Sequence, residues 1–141
     1  MVPVSAGRAA TLGSVLDATV KELASGRNFA AITTMLPDGQ PQTHIMWVDA
    51  TDEQLLVNTE IERQKFRNVR RDSRITVTIL DRDNPYHYAE VRGRVTGTVA
   101  GDEARRHLES LSQKYNGKPY GNPIGSERVI LFITPDRQLI R

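Results

Sequence analysis

The segment NFAAITTMLPDGQPQTHIMWVD, residues 28–49, decides the fold because two β-prone runs flank a turn. The runs, 28–36 and 41–49, are rich in the β-branched and aromatic residues that favour strands. Between them, the sequence Pro-Asp-Gly-Gln at 37–40 is typical of a tight turn. The segment therefore predicts a β-hairpin, and a further β-prone run at 54–59 predicts a third strand in meander order.

The spacing of apolar residues on either side of this region predicts the remaining helices and strands. We predict helices over 11–25, 62–72 and 102–115, with Asp102 as the N-cap of the last. We predict further strands over 74–80, 86–99 and 128–134. Gly93 and Gly97 mark expected bends or bulges of the kind that let a sheet curl. The fold expected is mainly β with flanking helices, a small six-stranded antiparallel barrel in one domain, 11–141, after a flexible arm, 1–10.

Composition excludes several classes of protein. The chain of 141 residues has no cysteine, which excludes disulfides, thiolate metal sites and cysteine nucleophiles. It also has no apolar run long enough to cross a membrane and no apolar core of a signal peptide at its start. We therefore expect a soluble, cytoplasmic protein. A net charge of only +2 argues against wholesale nucleic-acid binding.

The positive charge is concentrated in one segment, EIERQKFRNVRRDSR at 60–74. Six basic and three acidic side chains give it a net charge of +3, so the rest of the chain is slightly acidic. It follows Asn58 and Thr59 at a predicted strand end, and a helix start with nearby basic side chains suits a phosphate or carboxylate. The alternative is a solvated helix whose basic residues pair with the acidic ones, and spacing alone does not decide between the two.

Other catalytic patterns are missing from the sequence. The three histidines, at 44, 87 and 107, have no metal-ligand spacing, so no metal site is expected. The chain also has no nucleophile elbow, no P-loop and no dinucleotide-binding glycine motif. Trp47 and the Tyr86-His87-Tyr88 run remain, and they suit either ordinary packing or the lining of a pocket for a planar ring.

Motifs in a fixed order add a family resemblance. These are PDGQPQ at 37–42, VNT followed by RxKxRN at 57–68, RRDxR at 70–74 and DNPYHYAEVRGRV at 83–95. Together they resemble the pyridoxamine-phosphate-oxidase-like split β-barrel superfamily, and within it the flavin/deazaflavin oxidoreductase group often labelled F420-dependent. The resemblance implies an FMN-binding type of split barrel and a homodimer that holds its cofactor in a groove between protomers.

The resemblance also assigns roles to residues. Arg63 and Lys65 match residues that hold the cofactor phosphate, with Asn58 and Thr59 beside it. The other implied cofactor contacts are Gln64, Arg67, Asn68, Tyr86, Tyr88, Thr33, Thr34 and Gln42. The two tyrosines lie near the cofactor, from the same or the other subunit. No catalytic side chain is implied, because the cofactor carries the hydride and the protein orients it.

Three functions follow from these observations. The first is an oxidoreductase that transfers hydride between coenzyme F420 and a small conjugated substrate, with Arg67, Arg70 and Arg71 meeting the anionic tail of the coenzyme. The second is the same fold with FMN. The third is a non-catalytic binder of a cofactor, a tetrapyrrole or a nucleic acid. We expect a small-molecule substrate and no membrane or nucleic-acid partner.

Overall fold

The computed structural model describes residues 15–141, in which three helices and seven strands form. The predicted arm, 1–10, and the start of the first predicted helix lie outside the described residues. The helices are α1 (Ala18–Ser25), α2 (Gln64–Arg71) and α3 (Asp102–Asn116). The strands are β1 (Ala30–Met35), β2 (Pro41–Met46), β3 (Asp49–Ala50), β4 (Leu55–Glu60), β5 (Arg74–Leu80), β6 (Tyr88–Ala100) and β7 (Arg128–Ile140).

The strands form one antiparallel sheet in the order β2-β1-β5-β6-β7-β4-β3, which curls around the core as a half-barrel. The predicted hairpin is confirmed, with Met35 paired to Pro41 and Gly39 in the turn at a φ of 88°. The predicted meander is wrong, because β4 pairs with β7 and β3 instead of continuing from β2. All six residues of β4 are buried, so this strand is stabilised between two others rather than at an edge.

Seven strands replace the six expected, because β3 is a separate two-residue strand paired with β4. β7 also continues past 134 to Ile140, since a register shift beside Gly93 lets it keep pairing with β6. A second shift lies before Gly97, so the bends predicted at these two glycines are confirmed. A Cβ on Gly93 would lie 2.3 Å from the Thr134 carbonyl oxygen, which explains why glycine is needed at the first bend.

The helices differ from prediction mainly at their starts. α1 begins at Ala18 because the Asp17 carboxylate accepts a hydrogen bond of 2.8 Å from the Thr19 N–H and caps the helix. Residues 15–17 of the first predicted helix are therefore not helical. The N-cap of α3 is Gly101, at a φ of 82°, and not Asp102. Asp102 instead lies in the first turn, where its negative charge interacts favourably with the positive end of the helix dipole.

Two clusters of apolar residues form the core. α1, α2 and the inward faces of the strands share the larger one, and the burial of Phe66 and Val69 confirms the apolar edge predicted for α2. The smaller cluster lies under α3, where Ala104 packs on Leu56 and Ile130 from the outer face of the sheet. β4 therefore contributes alternate residues to the interior and to the α3 side, and it leads directly into α2.

Candidate anion-binding site

The Asn68 side chain, which is fully buried, fixes α2 against the hairpin. Its Nδ2 group donates hydrogen bonds to Thr34 Oγ1 at 3.0 Å and to Gln42 Oε1 at 3.2 Å. Its Oδ1 atom accepts one of 2.8 Å from Gln64 Nε2. Thr34 and Gln42 are cross-strand partners, so the two strands and the helix meet at one amide group. The structure thus brings together four of the residues implied by the resemblance.

Lys65 lies one helical turn before Asn68 and is only 8% exposed. Within residues 15–141, its ammonium group has no hydrogen-bond or salt-bridge partner. Burial lowers the pKa of Lys65, and the nearby charges of Arg63 and Arg128 lower it further, against the opposite effect of Glu60. A buried cation without a hydrogen bond is costly, so this position favours an anionic ligand.

Glu60 is the carboxylate whose charge acts on Lys65, but both of its oxygens already accept hydrogen bonds from other residues. Its Oε1 atom accepts hydrogen bonds from the Ser126 N–H at 2.8 Å, the Gly125 N–H at 3.1 Å and the Ser126 hydroxyl at 3.2 Å. Its Oε2 atom accepts one of 3.2 Å from Arg128. Glu60 therefore ties the 118–126 loop to the end of β4.

His44 on β2 lies on the same strand face as Gln42, although the sequence did not assign it to the site. His44 is half-buried and pairs across the hairpin with Ile32, on the same face as Gln42. Burial lowers the pKa of His44, and the charges of Lys65 and Arg63 lower it further. The two-residue spacing from Gln42 is the signal that could have placed it there.

The charges of this group do not balance. Arg63, Lys65 and Arg128 carry three positive charges against the single negative charge of Glu60, with His44 as a further basic group. Arg63 lies at the N-cap of α2, with its guanidinium 3.7 Å from Glu60 and largely exposed. An excess of two positive charges at a helix start suits a phosphate, whose oxygens accept charge-assisted hydrogen bonds.

Asn58 and Thr59 point to opposite faces of β4. Asn58 Nδ2 donates to the Ala104 carbonyl at 2.8 Å and to His107 Nδ1 at 3.1 Å, and its Oδ1 atom accepts from Arg128 at 2.9 Å. Asn58 therefore faces α3, where it contacts Arg128 of the charged group but makes no hydrogen bond with Lys65 itself. Thr59 is buried and alternates with it, on the face that carries Val57 into the main core.

The other implied residues lie around or away from the cluster. Arg67 folds back on its own helix, where it donates to the Glu62 carbonyl at 2.5 Å and to Gln64 Oε1 at 2.7 Å. Thr33 lies on the outer face of the hairpin, with its hydroxyl 2.8 Å from that of Thr43. Thr33 is therefore outside the Asn68 group on the inner face, and Arg67 contacts that group only through Gln64.

The two tyrosines lie at the other end of the sheet. Tyr88 pairs with Leu80 at the end of β5, whereas α2 leads into Arg74 at its start. Six residues of strand separate these ends, or about 20 Å. Tyr86 precedes β6 and is 87% exposed, so the prediction that it shares a strand face with Tyr88 is wrong. The Asn84 and His87 contacts hold this segment as a turn.

Part of the basic segment pairs as the alternative interpretation expects. The Arg74 guanidinium lies 2.6 Å from the Asp72 carboxylate, and Arg71 donates to the Met35 carbonyl. Arg70 lies over the Phe66 ring, 5.7 Å from its centroid. The segment therefore divides into a paired end at 70–74 and a start around Arg63 and Lys65 with excess positive charge.

Two kinds of feature are absent from the described residues. Residues 15–141 contain no group of three histidine, aspartate or glutamate side chains that could hold a metal ion. No helix in the same range is both long and apolar enough to span a bilayer.

Comparison with known proteins defines the class. The chain shares its fold with solved structures of the split-barrel type, including a Mycobacterium tuberculosis protein, Rv2991, at 22% identity and a TM-score of 0.67, covering 93% of this chain and 88% of the other. A putative pyridoxamine 5'-phosphate oxidase from Listeria innocua has 21% identity and a TM-score of 0.63, over 86% of this chain and 94% of that one. The family model for pyridoxamine 5'-phosphate oxidase matches residues 16–139, so the chain belongs to this family.

One similar structure carries a more specific name. A protein named F420 reductase is 29% identical, with a TM-score of 0.77 over 88% of this chain and 98% of its own. The search of curated proteins found no match. The resemblance seen in the sequence is therefore confirmed, for the split barrel and for its F420 group.

Proposed function

We propose that this protein is an oxidoreductase that binds coenzyme F420 and transfers hydride between it and a small conjugated molecule. The observation that carries the proposal is Lys65, a buried ammonium group without a hydrogen-bond partner in the described chain. The similarity to an F420 reductase supports the choice of coenzyme.

The residues present fit the phosphate of such a coenzyme. Lys65 and Arg63 would hold it at the start of α2, and the unbalanced positive charge supplies the attraction. The coenzyme supplies the carbon that accepts or donates the hydride. The protein orients that group, keeps water out and shapes the substrate cavity. Within the hairpin, Thr34 and Gln42 are held by Asn68, so this polar wall is pre-organised before a ligand binds.

FMN is the alternative ligand, because it carries a phosphate on the same kind of ribityl chain. F420 differs by an anionic tail of lactate and glutamate units. Arg67 and Arg70 are exposed on α2, and we infer that they would exchange their contacts with Gln64 and the Phe66 ring for that tail. This arrangement favours F420 over FMN.

We also propose a homodimer. Ile45 is 68% exposed on the outer face of the hairpin, and exposed Tyr86 lies at the far end of the sheet. Tyr88 pairs with the end of β5, whereas α2 leads into its start, so a second copy is the proposed source of a contact between Tyr88 and a cofactor at Lys65.

Direct titration tests the proposal. Purified F420 and FMN are each titrated into the protein, and the reduced form of F420 is then mixed with enone-type acceptors. We expect micromolar binding of F420, weaker binding of FMN, and oxidation of reduced F420. Binding without oxidation by any acceptor would favour a non-catalytic carrier. Tight FMN binding, or a yellow protein from a host that lacks F420, would move the assignment to FMN.

A pair of variants locates the phosphate. Lys65→Ala should weaken F420 binding about ten- to a hundredfold, the cost of losing a charge-assisted contact. Arg106→Ala is the matched control, because it removes a positive charge from an exposed position on α3. It should leave the dissociation constant unchanged. Equal affinity of the Lys65→Ala variant and the wild type would show that the phosphate lies elsewhere.

A further inference from the structure

His44 lies on the same face of the hairpin as Gln42, within the charge influence of Lys65 and Arg63. Its strand partner is Ile32, and the next inward-facing pair along the hairpin is Thr34 with Gln42. Asn68 binds both of the latter residues, so the register places His44 one step along the same wall that α2 covers. Its imidazole has no hydrogen-bond partner within residues 15–141.

The charged groups around His44 are all cations. From α2, Arg63 and Lys65 act on it, whereas its inward-facing neighbours on β1 and β2 are the uncharged Ile32, Thr34 and Gln42. Arg128 of β7 and Glu60 of β4 also act on the charge of Lys65, and these two residues bind each other. His44 therefore has no free carboxylate to pair with, and a bound anion would be its natural partner.

We propose that His44 is a further ligand of the anion site and that it binds phosphate in its protonated form, so that ligand binding takes up a proton. This inference rests on the proposed function, because it places the phosphate at Lys65. It adds a binding residue and a pH dependence that the fold alone does not imply.

The direction of the effect follows from the charges. In the free protein, burial and then the charges of Lys65 and Arg63 hold the pKa of His44 below its ordinary value. A bound anion adds negative charge beside the imidazole and raises its pKa. Affinity is therefore highest below the pKa of the free protein and lowest above that of the complex. Each unit by which binding raises the pKa makes binding about tenfold tighter at low pH.

Sulfate is the probe, because it keeps its charge across the range in which histidine titrates, about pH 5.5 to 8.5. The pKa of His44 is measured from the ring Cε1–H signals by NMR, with and without sulfate, and Gln substitution at 44 assigns the signal among the three histidines. We expect the His44 pKa to rise when sulfate binds. We also expect Lys65→Ala to raise it in the free protein, since a neighbouring cation is removed.

The variants separate the possible outcomes. His44→Gln should flatten the pH dependence of sulfate and F420 affinity, whereas His87→Gln is the control, because its Nδ1 atom contacts the Arg141 carbonyl far from the site. If both ligands bind in a Lys65-dependent way while the His44 signal stays unchanged, the inference is wrong and the proposed function stands. If Lys65→Ala has no effect on either ligand, the phosphate lies elsewhere and the inference fails with that placement, whereas the proposed function fails only if the wild type does not bind F420.

Discussion

The Asn68 amide donates a hydrogen bond of 3.0 Å to the Thr34 hydroxyl, and both groups are buried. This contact joins α2 to β1, so the position of Lys65 depends on it. Asn68→Ala would leave the Thr34 and Gln42 side chains without this donor. We expect a loss of about 2 kcal/mol in unfolding free energy and weaker F420 binding. Thermal denaturation and titration measure the two effects.

A double-mutant cycle isolates this contact. Thr34→Val keeps the shape of the side chain and removes the hydroxyl. If the hydrogen bond matters as described, Asn68→Ala and Thr34→Val should show a coupling of about 1 kcal/mol. Additive losses would mean that the two side chains contribute independently of each other.

Lys65→Met should separate stability from binding. Methionine keeps the apolar stem and removes a buried charge that has no partner in the described chain. The unfolding free energy of the variant should therefore be higher by roughly 1 kcal/mol, and it should unfold at a higher temperature. F420 affinity should fall in the same variant. Because burial lowers the Lys65 pKa in the folded state, the stability gap between variant and wild type should shrink as the pH rises above that pKa. A less stable variant would contradict the description of Lys65.

Glu60→Gln should keep an oxygen that accepts the Gly125 and Ser126 hydrogen bonds and leave Arg128 without its ion pair. Loss of one partner of a buried pair costs about 3–5 kcal/mol, which guanidinium denaturation measures. Burial alone would raise the Glu60 pKa, but the hydrogen bonds from Ser126 and the charges of Arg128 and Arg63 outweigh it and lower the pKa. Wild-type stability from this group is therefore present above the unfolded pKa of glutamate and is lost as the pH falls through the folded one. The variant should lack that acid-side decline.

Gly93→Ala and Gly97→Ala form a matched pair on β6. A Cβ at Gly93 would lie 2.3 Å from the Thr134 carbonyl oxygen, whereas a Cβ at Gly97 has no atom within 4 Å. We expect Gly93→Ala to cost more than about 2 kcal/mol, since backbone atoms must shift. Gly97→Ala should change unfolding free energy by less than about 0.5 kcal/mol. Similar losses would show that the close approach of β6 and β7 relaxes easily.

Subunit mixing tests the proposed dimer. Lys65→Ala and Tyr88→Ala protomers should each bind F420 poorly alone, because each damages both sites of a dimer. In a mixed dimer, one site keeps Lys65 from one protomer and Tyr88 from the other. We expect the isolated mixed dimer to regain half of the binding capacity at wild-type affinity, and a random equimolar mixture about a quarter. Unchanged weak binding in a confirmed mixed dimer would show that both residues act within one protomer.

The sequence was sufficient for features that depend on neighbours in the chain. The first hairpin follows from the turn residues around Gly39, and β5 was predicted at its observed bounds, Arg74–Leu80. The apolar edge of α2 follows from the spacing of Phe66 and Val69. In each case the signal lies within one turn or one strand, so composition and period suffice.

Other features depend on long-range pairing and were missed. β4 is buried on both faces, so alternation could not show that Asn58 faces α3 while Thr59 faces the interior. The pattern of β4 also could not show which strand it pairs with, and it pairs with β7 rather than continuing the expected meander. His44 was considered only as a metal ligand, and its place beside Lys65 becomes visible once the hairpin register and α2 are combined.

The order of the strands also determines how the chain can fold. β7 comes after all the other strands in the sequence, yet it lies between β6 and β4 in the sheet. β4 and β3 therefore cannot join the rest of the sheet until β7 has been synthesised. Such long-range pairing slows folding, to about milliseconds or seconds for sheets of this kind. Until then, β4 exposes unpaired backbone and apolar side chains, which makes the nascent chain dependent on completing its last strand.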